Sequence, residues 1–250
     1  SPGTINQGFN YVSQESTEAP RRQDLVRIDW AATTNWRLNG KYLHTGGSGW
    51  NPYGGGTTGF GTNIPAFGSQ GACPCSRQIT LSADATLSPT MVMELTWGTS
   101  HRPIKNYAHT PEALERTALG LASFPTLYPG AIQRDYVPSF TYGGRVGTFS
   151  PTNATQYAPF ENFNTTHDIN ASVTRLMGRH TAKAGFFVNH ALKSQSSRAP
   201  ANALVSFQND ASNPLDTGYP FANAALGIYQ SYSQAAQWVK GNYVYNNVEW

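Results

Sequence analysis

Residues 77–102, RQITLSADATLSPTMVMELTWGTSHR, alternate in character with a period of two on both sides of Ser88-Pro89-Thr90. Ile79, Leu81, Ala83, Ala85 and Leu87 share one parity and Thr80, Ser82, Asp84 and Thr86 the other. After the break, Met91, Met93, Leu95 and Trp97 oppose Val92, Glu94, Thr96 and Gly98. A period of two is the signature of strands with unlike faces, and a three-residue polar hinge containing Pro makes these two an antiparallel hairpin. Each run has about ten residues, whereas strands in globular proteins usually have five or six. Such length demands a thick layer to cross.

The unit recurs. Residues 23–45, QDLVRIDWAATTNWRLNGKYLHT, read as a strand, a turn at Thr33-Thr34-Asn35 and a return strand, and 166–176 and 181–194 form a third hairpin around the turn at 177–180. Further strands are expected at 8–17, 203–210, 228–237 and 241–250, about ten in all. Links inside the clean hairpins have three or four residues, but those between hairpins are very long, at 46–76 and 102–165. Compact soluble domains seldom carry such loops. Since direction reverses at every turn, the long loops share one end and the tight turns the other. The predicted fold is therefore all-β: a partial antiparallel transmembrane β-barrel with short periplasmic turns and long extracellular loops.

Parity then sorts the side chains. The candidates for a lipid-facing or girdle role are Val26, Ile28, Trp30, Trp36, Ile79, Leu81, Met93, Leu95, Trp97 and Phe186. Trp30 and Trp36 flank one tight turn, where a membrane-interface belt of aromatic rings belongs, although two indoles also close the core of a β-sandwich. The candidates for a lumen-facing role are Arg27, Asp29, Arg37, Lys41, Asp84, Glu94 and Lys183. Charges of both signs in mid-strand suit a watery barrel interior, and they suit the solvent face of an open sheet equally well.

Composition narrows the function classes. Charged residues make up 12% of the 250-residue chain and aromatic residues another 12%, with 24 Gly and 16 Pro. The formal net charge of +3 is scattered and argues against nucleic acid as a partner. No run of 18 apolar residues offers a membrane-spanning helix, and the first fourteen residues have neither the basic start nor the apolar centre of a signal peptide. A mean hydropathy of −0.44 does not imply solubility, because two-faced strands average out.

Sites of chemistry are scarce. Cys73 and Cys75 are too close for ordinary disulfide geometry and two thiols do not complete a zinc site; they read as a loop with a strained or absent bridge. The six His residues are dispersed, and His167-Asp168 reads as a polar pair at the start of a strand rather than a dyad. GGGTTGFG lacks the helix and Lys of a phosphate loop, and no Gly-X-Ser-X-Gly elbow occurs. No catalytic, metal or cofactor site is expected, and the chain does not read as an enzyme. One helix is expected inside the second long loop, with Thr110 as N-cap, Pro111 at the first position, a stripe of Leu114, Ala118, Leu121 and Ala122, and Pro125 as stop.

Three stretches resemble a known family. DLVRIDWAATTNWRLNGKYLH, with Arg27, Asp29, Lys41 and Tyr42, resembles the Arg-X-Asp strand, turn and return strand of TonB-dependent outer-membrane receptors. The likeness is to the Oar-like group, which carries an N-terminal carboxypeptidase-regulatory-like domain. TGYPFANAALGIYQSY (217–232) is similar to a Phe-Ala-Asn/Asp-X-Leu-Leu-Gly segment, with Ala225 where Leu is usual, and YVYNNVEW (243–250) to a Tyr-X-X-X-Glu-Trp/Phe stretch. The resemblance implies energy-coupled uptake of an unidentified solute (glycan, peptide or metal chelate) across the bacterial outer membrane. It also implies outer-membrane lipid and, through regions upstream, the TonB complex as partners. On this scheme 203–210 runs inwards and puts NPLDTGYPFANAALG on the periplasmic side. Nothing resembles the plug or TonB box, and family barrels have about 22 strands; the chain thus reads as an internal barrel fragment, with Trp250 as a genuine barrel terminus the alternative. The rival functions are a secreted or surface β-sandwich of adhesin type and a passive porin.

Overall fold

In a computed structural model the chain is an arc of long strands with a small second sheet folded from its connections. Residues 13–53, 69–156 and 158–250 are described, without the side chains of 69–75 and 154. In chain order the strands are β1 (Arg22–Ala31), β2 (Trp36–Asn51), β3 (Ser69–Ser88), β4 (Met91–Ala108), β5 (Ser139–Tyr142), β6 (Phe160–Met177), β7 (His180–Ser196), β8 (Leu204–Phe207), β9 (Ser231–Ser233) and β10 (Lys240–Glu249). One helix, α1, spans Pro220–Leu226. The large sheet has seven strands in the order β1-β2-β3-β4-β6-β7-β10, every neighbouring pair antiparallel.

The all-β, outward-and-back meander agrees with the alternation, and its tight turns are short. Gly178 and Arg179 join β6 to β7, with Gly178 at φ +60°, a left-handed position that glycine occupies at little cost. The wall itself holds seven of the ten strands, fewer than the about ten expected in it. Residues 13–17 of the expected first strand are not extended into any sheet, and 8–12 lie outside the described residues. The stretches 203–210 and 228–237 supply only β8 and β9, which join β5 in a separate three-stranded sheet. Because β10 pairs directly with β7, the segment 197–239 is a third long connection at the same end as the other two. NPLDTGYPFANAALG therefore lies at the long-connection end, not the periplasmic one.

The barrel strands also outlast their alternation. β3 has 20 residues and β4 and β6 have 18 each, so the long connections shrink to 52–68 and 109–159. A backbone ladder needs only N–H and C=O groups, so pairing continues through GGSGWN at the end of β2 after the apolar pattern has stopped. Cys73 and Cys75 sit on β3, not in a loop, with Cys73 opposite Gly47.

The buried core lies outside the arc. Leu114, Val137, Tyr136 and Ala158 pack against Ala108, the last residue of β4, with Leu121 and Phe140 against them. Val205 and Phe207 of β8 are buried, and rings link the pieces: Phe124–Phe140 at 5.8 Å, Phe140–Phe207 at 5.9 Å and Tyr142–Phe207 at 5.5 Å between centroids. The connections 109–159 and 197–239 thus form a folded cap with its own core. The expected helix at 110–124 is a single 3-10 turn, Pro111–Leu114, and Thr110 makes no side-chain cap bond.

Candidate functional site: the polar face and the loop cap

Register decides which side chains share a face. The rung Arg27–Lys41–Thr80–Gly98–Asp168–Asn189 crosses six strands, and beside it run Asp29–Asn39–Ser82–Thr96 and Arg37–Asp84–Glu94–Ser172. With Lys183 opposite Thr174, all seven charged candidates stand on one face. The opposite face carries Trp30–Leu38–Ala83–Leu95–Ala171–Phe186 and Ile28–Gly40–Leu81–Trp97–Ile169–Val188–Val248 in successive rungs. Val26, Ile79, Trp36 and Met93 complete the ten apolar candidates there.

No described layer covers the apolar face. Ile28 is 67% exposed, Trp30 61% and Leu81 51%. Along β3 and β4 this face stays free of charge from the tight turn to Arg77 and His101, a run of about ten residues, which is the span of a transmembrane strand. There the rung Asp24–His44–Arg77–His101–Thr165 replaces it, with His44 Nδ1 3.3 Å from Asp24 Oδ2 and His101 Nδ1 2.8 Å from Thr165 Oγ1. Beyond it Glu161 holds Lys105 and Lys240, each at 3.3 Å. Sequence reasoning missed this collar, although the ionisable residues interrupting the apolar parity announce it.

Groups on the polar face satisfy one another. Arg27 grips Asp29 through Nε and Nη2, both at 2.7 Å. Glu94 accepts from Ser172 Oγ at 2.9 Å and Lys183 Nζ at 3.2 Å. Thr96 Oγ1 donates to Ser82 Oγ at 3.1 Å, Ser100 and Thr166 hydroxyls meet at 2.6 Å, and Asn189 Nδ2 donates to Asp168. Arg27, Arg37, Lys41 and Lys183 balance Asp29, Asp84, Glu94 and Asp168. Such exposed pairs add little stability each, but together they make a charge-balanced wall. His167 and Asp168 lie in the middle of β6 rather than at its start, and as strand neighbours they point to opposite faces; His167 stacks instead on His190, ring centroids 6.3 Å apart.

The cap is tied by polar residues, of which Arg116 and Asn223 are buried. Arg116 donates from Nε to Tyr136 O at 3.2 Å and from Nη1 to Phe124 O at 2.9 Å and Thr126 Oγ1 at 2.6 Å. Gln234 joins the two connections: its Oε1 accepts from the N–H groups of Leu127 and Tyr128, and its Nε2 donates to the carbonyls of Tyr128 and Ala201. Before α1, the Asp216 carboxylate accepts from Asn223 Nδ2 at 3.0 Å and from the backbone N–H groups of Asp210 and Gly218. Asn223, followed by these two N–H groups, pulls the Asp216 pKa down to about 2. Asn223 itself is buried within the PFANAAL helix, where its Oδ1 accepts from Thr217 N and Oγ1.

A two-faced antiparallel arc whose apolar side is uncovered over a bilayer's span, with all three long connections at one pole, is the architecture of a membrane barrel wall. The sequence matches the family model for the outer membrane beta barrel domain over residues 1–250. The chain belongs to that family. It is a β-barrel protein of the bacterial outer membrane. The solved structure of the outer membrane transporter YddB from Escherichia coli is similar over 98% of this chain and 27% of its own, at 10% identity and a TM-score of 0.46. The chain thus spans about a quarter of that protein's length. None of the curated proteins matches it.

Proposed function

We propose that this chain is a wall-and-mouth segment of a TonB-dependent receptor of the Oar-like group, which takes up a solute without making or breaking its bonds. The apolar face meets lipid, the charge-balanced face looks into the lumen, and the cap stands outside the cell and receives the solute. The observation that carries the reading is the cap. Connections 109–159 and 197–239 hold the buried core of the described chain and are clamped together by Gln234. A passive pore needs no such folded body at its mouth, whereas a receptor that selects its solute does. The uncovered apolar face argues against the β-sandwich adhesin, whose sheet would be packed on a second layer.

Two experiments test it. Single cysteines at 79, 81, 93 and 95 in the intact protein should react with a lipid-soluble maleimide, while those at 80, 82 and 94 should react only with a water-soluble one; the reverse pattern refutes the assignment of faces. Mass spectrometry of the native protein isolated from outer membranes should find a plug domain and TonB box preceding these residues in the mature chain. A native chain without them overturns energy-coupled uptake.

A further inference from the structure

We infer that the mouth of this wall holds a binding site for an oxyanion, the carboxylate or phosphate group of a solute, between the segment 18–21 and the outer ends of β2–β4. The inference deepens the receptor reading, resting on it for the solute's route but not for the site's existence. The site begins with glycines. On the polar parity of β2, a Cβ at Gly47 would collide with the Pro20 carbonyl oxygen, and one at Gly49 would come within 2.9 Å of Glu18 O. The absence of side chains lets 18–20 lie flat against the strand, fastened where Glu18 N donates to Trp50 O at 3.0 Å. Between this strap and β4 lies a cleft of about 410 Å³, lined by Arg21, Thr45, Ser76, Arg102, Ile104 and Asn106 among others. That is room for a small polar molecule.

Charge gives the site its sign. Among the described residues no Asp or Glu lines the cleft, and of the three cations there only Lys105 has an acid partner, Glu161. Arg21 and Arg102 are exposed and, among the described residues, no carboxylate pairs with either. Lower on the same face Arg27 is neutralised by Asp29 and Lys183 by Glu94. Two uncompensated guanidiniums on opposite walls of an acid-free cleft attract an oxyanion and offer forked donors to it. Arg102 continues the parity of Glu94, Thr96, Gly98 and Ser100, so the bound group sits on the face assigned to the lumen, at the long-connection end.

The test uses the intact protein in detergent at low salt, with citrate and inorganic phosphate as probes and glucose as the neutral control, followed by calorimetry. Both anions are expected to bind and glucose not. Arg21→Gln and Arg102→Gln should each weaken binding by about tenfold, the affinity equivalent of one charge-assisted hydrogen bond. Arg102→Lys should retain part of it, and Arg27→Gln, whose guanidinium is already paired, should change nothing. Both arginines are exposed, so heat-modified gel mobility should confirm that the variants fold. Absence of anion binding to the parent protein, or unchanged affinity in the Arg21/Arg102 double variant, overturns the site. Because binding in detergent needs neither TonB nor a plug, failure of the uptake reading leaves this measurement intact.

Discussion

Leu81→Arg separates a sheet bathed in lipid from one bathed in water. Leu81 lies on the apolar face with Gly40 and Trp97 beside it on the rung, and it is 51% exposed to whatever surrounds the protein. On β3 it lies four residues from the first charge on that face, Arg77, and eight from Pro89 in the tight turn, well inside the apolar span. If the surroundings were water, an arginine at this half-exposed strand position would cost within about 0.5–1 kcal/mol. If they are hydrocarbon near the bilayer midplane, the guanidinium costs about 2–4 kcal/mol. The control is Ser82→Arg, one residue away at the same depth on the opposite face, flanked by Asn39 and Thr96. It loses the 3.1 Å bond from Thr96 Oγ1, worth about 1 kcal/mol at most in so wet a setting. The expected difference is therefore about 1–3 kcal/mol against Leu81→Arg, a roughly 5- to 150-fold lower folding constant. Urea titration of the intact protein in phosphatidylcholine vesicles, followed by tryptophan fluorescence, measures both variants. Equal costs, or a larger one for Ser82→Arg, would refute the orientation of the entire arc.

The cap yields two further expectations. Folding lowers the Asp216 pKa from the ordinary 3.8 to about 2, so its contribution to cap stability is complete above about pH 4 and fades as the pH falls towards 2; Asp216→Asn should flatten that acid limb, and an unchanged acid titration of cap proteolysis would contradict the assigned bonds. Arg116→Met leaves the carbonyls of Tyr136 and Phe124 and the Thr126 hydroxyl without their donor. Stranding a buried acceptor, here Tyr136 O, costs about 1–3 kcal/mol, so protease cutting within 109–159 should rise about tenfold while the barrel strands stay resistant; no increase would mean the guanidinium does not hold the cap.

What the sequence made legible was governed by the solvent on either side of a strand. Where one side is apolar and the other wet, as in β1–β4, β6 and β7, alternation identifies strand, face and partner. Where both sides are buried, it vanishes. Val205, Ser206 and Phe207 are all buried, and a run covered on both faces cannot be told from a barrel strand by period alone. Alternation alone therefore makes 203–210 a membrane-crossing strand and hides the third long connection. The expected helix failed differently. Leu114 and Leu121 do reach the cap core, as members of an apolar stripe should. The chain delivers them through turns, with Gly120 at φ +69° and Arg116 N bonded to Asp135 O instead of to a helical carbonyl. The polar anchors Arg116 and Asn223, both buried, and the half-buried Gln234 have no period at all; only the fold reveals them.

The same strands serve two solvents. About ten residues suffice to cross the hydrocarbon layer, yet β3, β4 and β6 have 18–20, so nearly half of each projects beyond it. On the crossing half the side chains are exposed or half-buried, and Ala85 is the one residue of that half in the buried core among the described residues. On the projecting half Ala108 and Phe160 are buried and anchor the cap. A water-soluble protein with this distribution would leave its most apolar surface uncovered while packing its turn-rich, Asn- and Pro-rich segments into a core. Hydrocarbon around that half, as proposed, would remove the contradiction: lipid would replace the missing packing layer, and only the part meeting water would need a core of its own. On that proposal the collar of His44, Arg77 and His101 marks the level at which one regime gives way to the other.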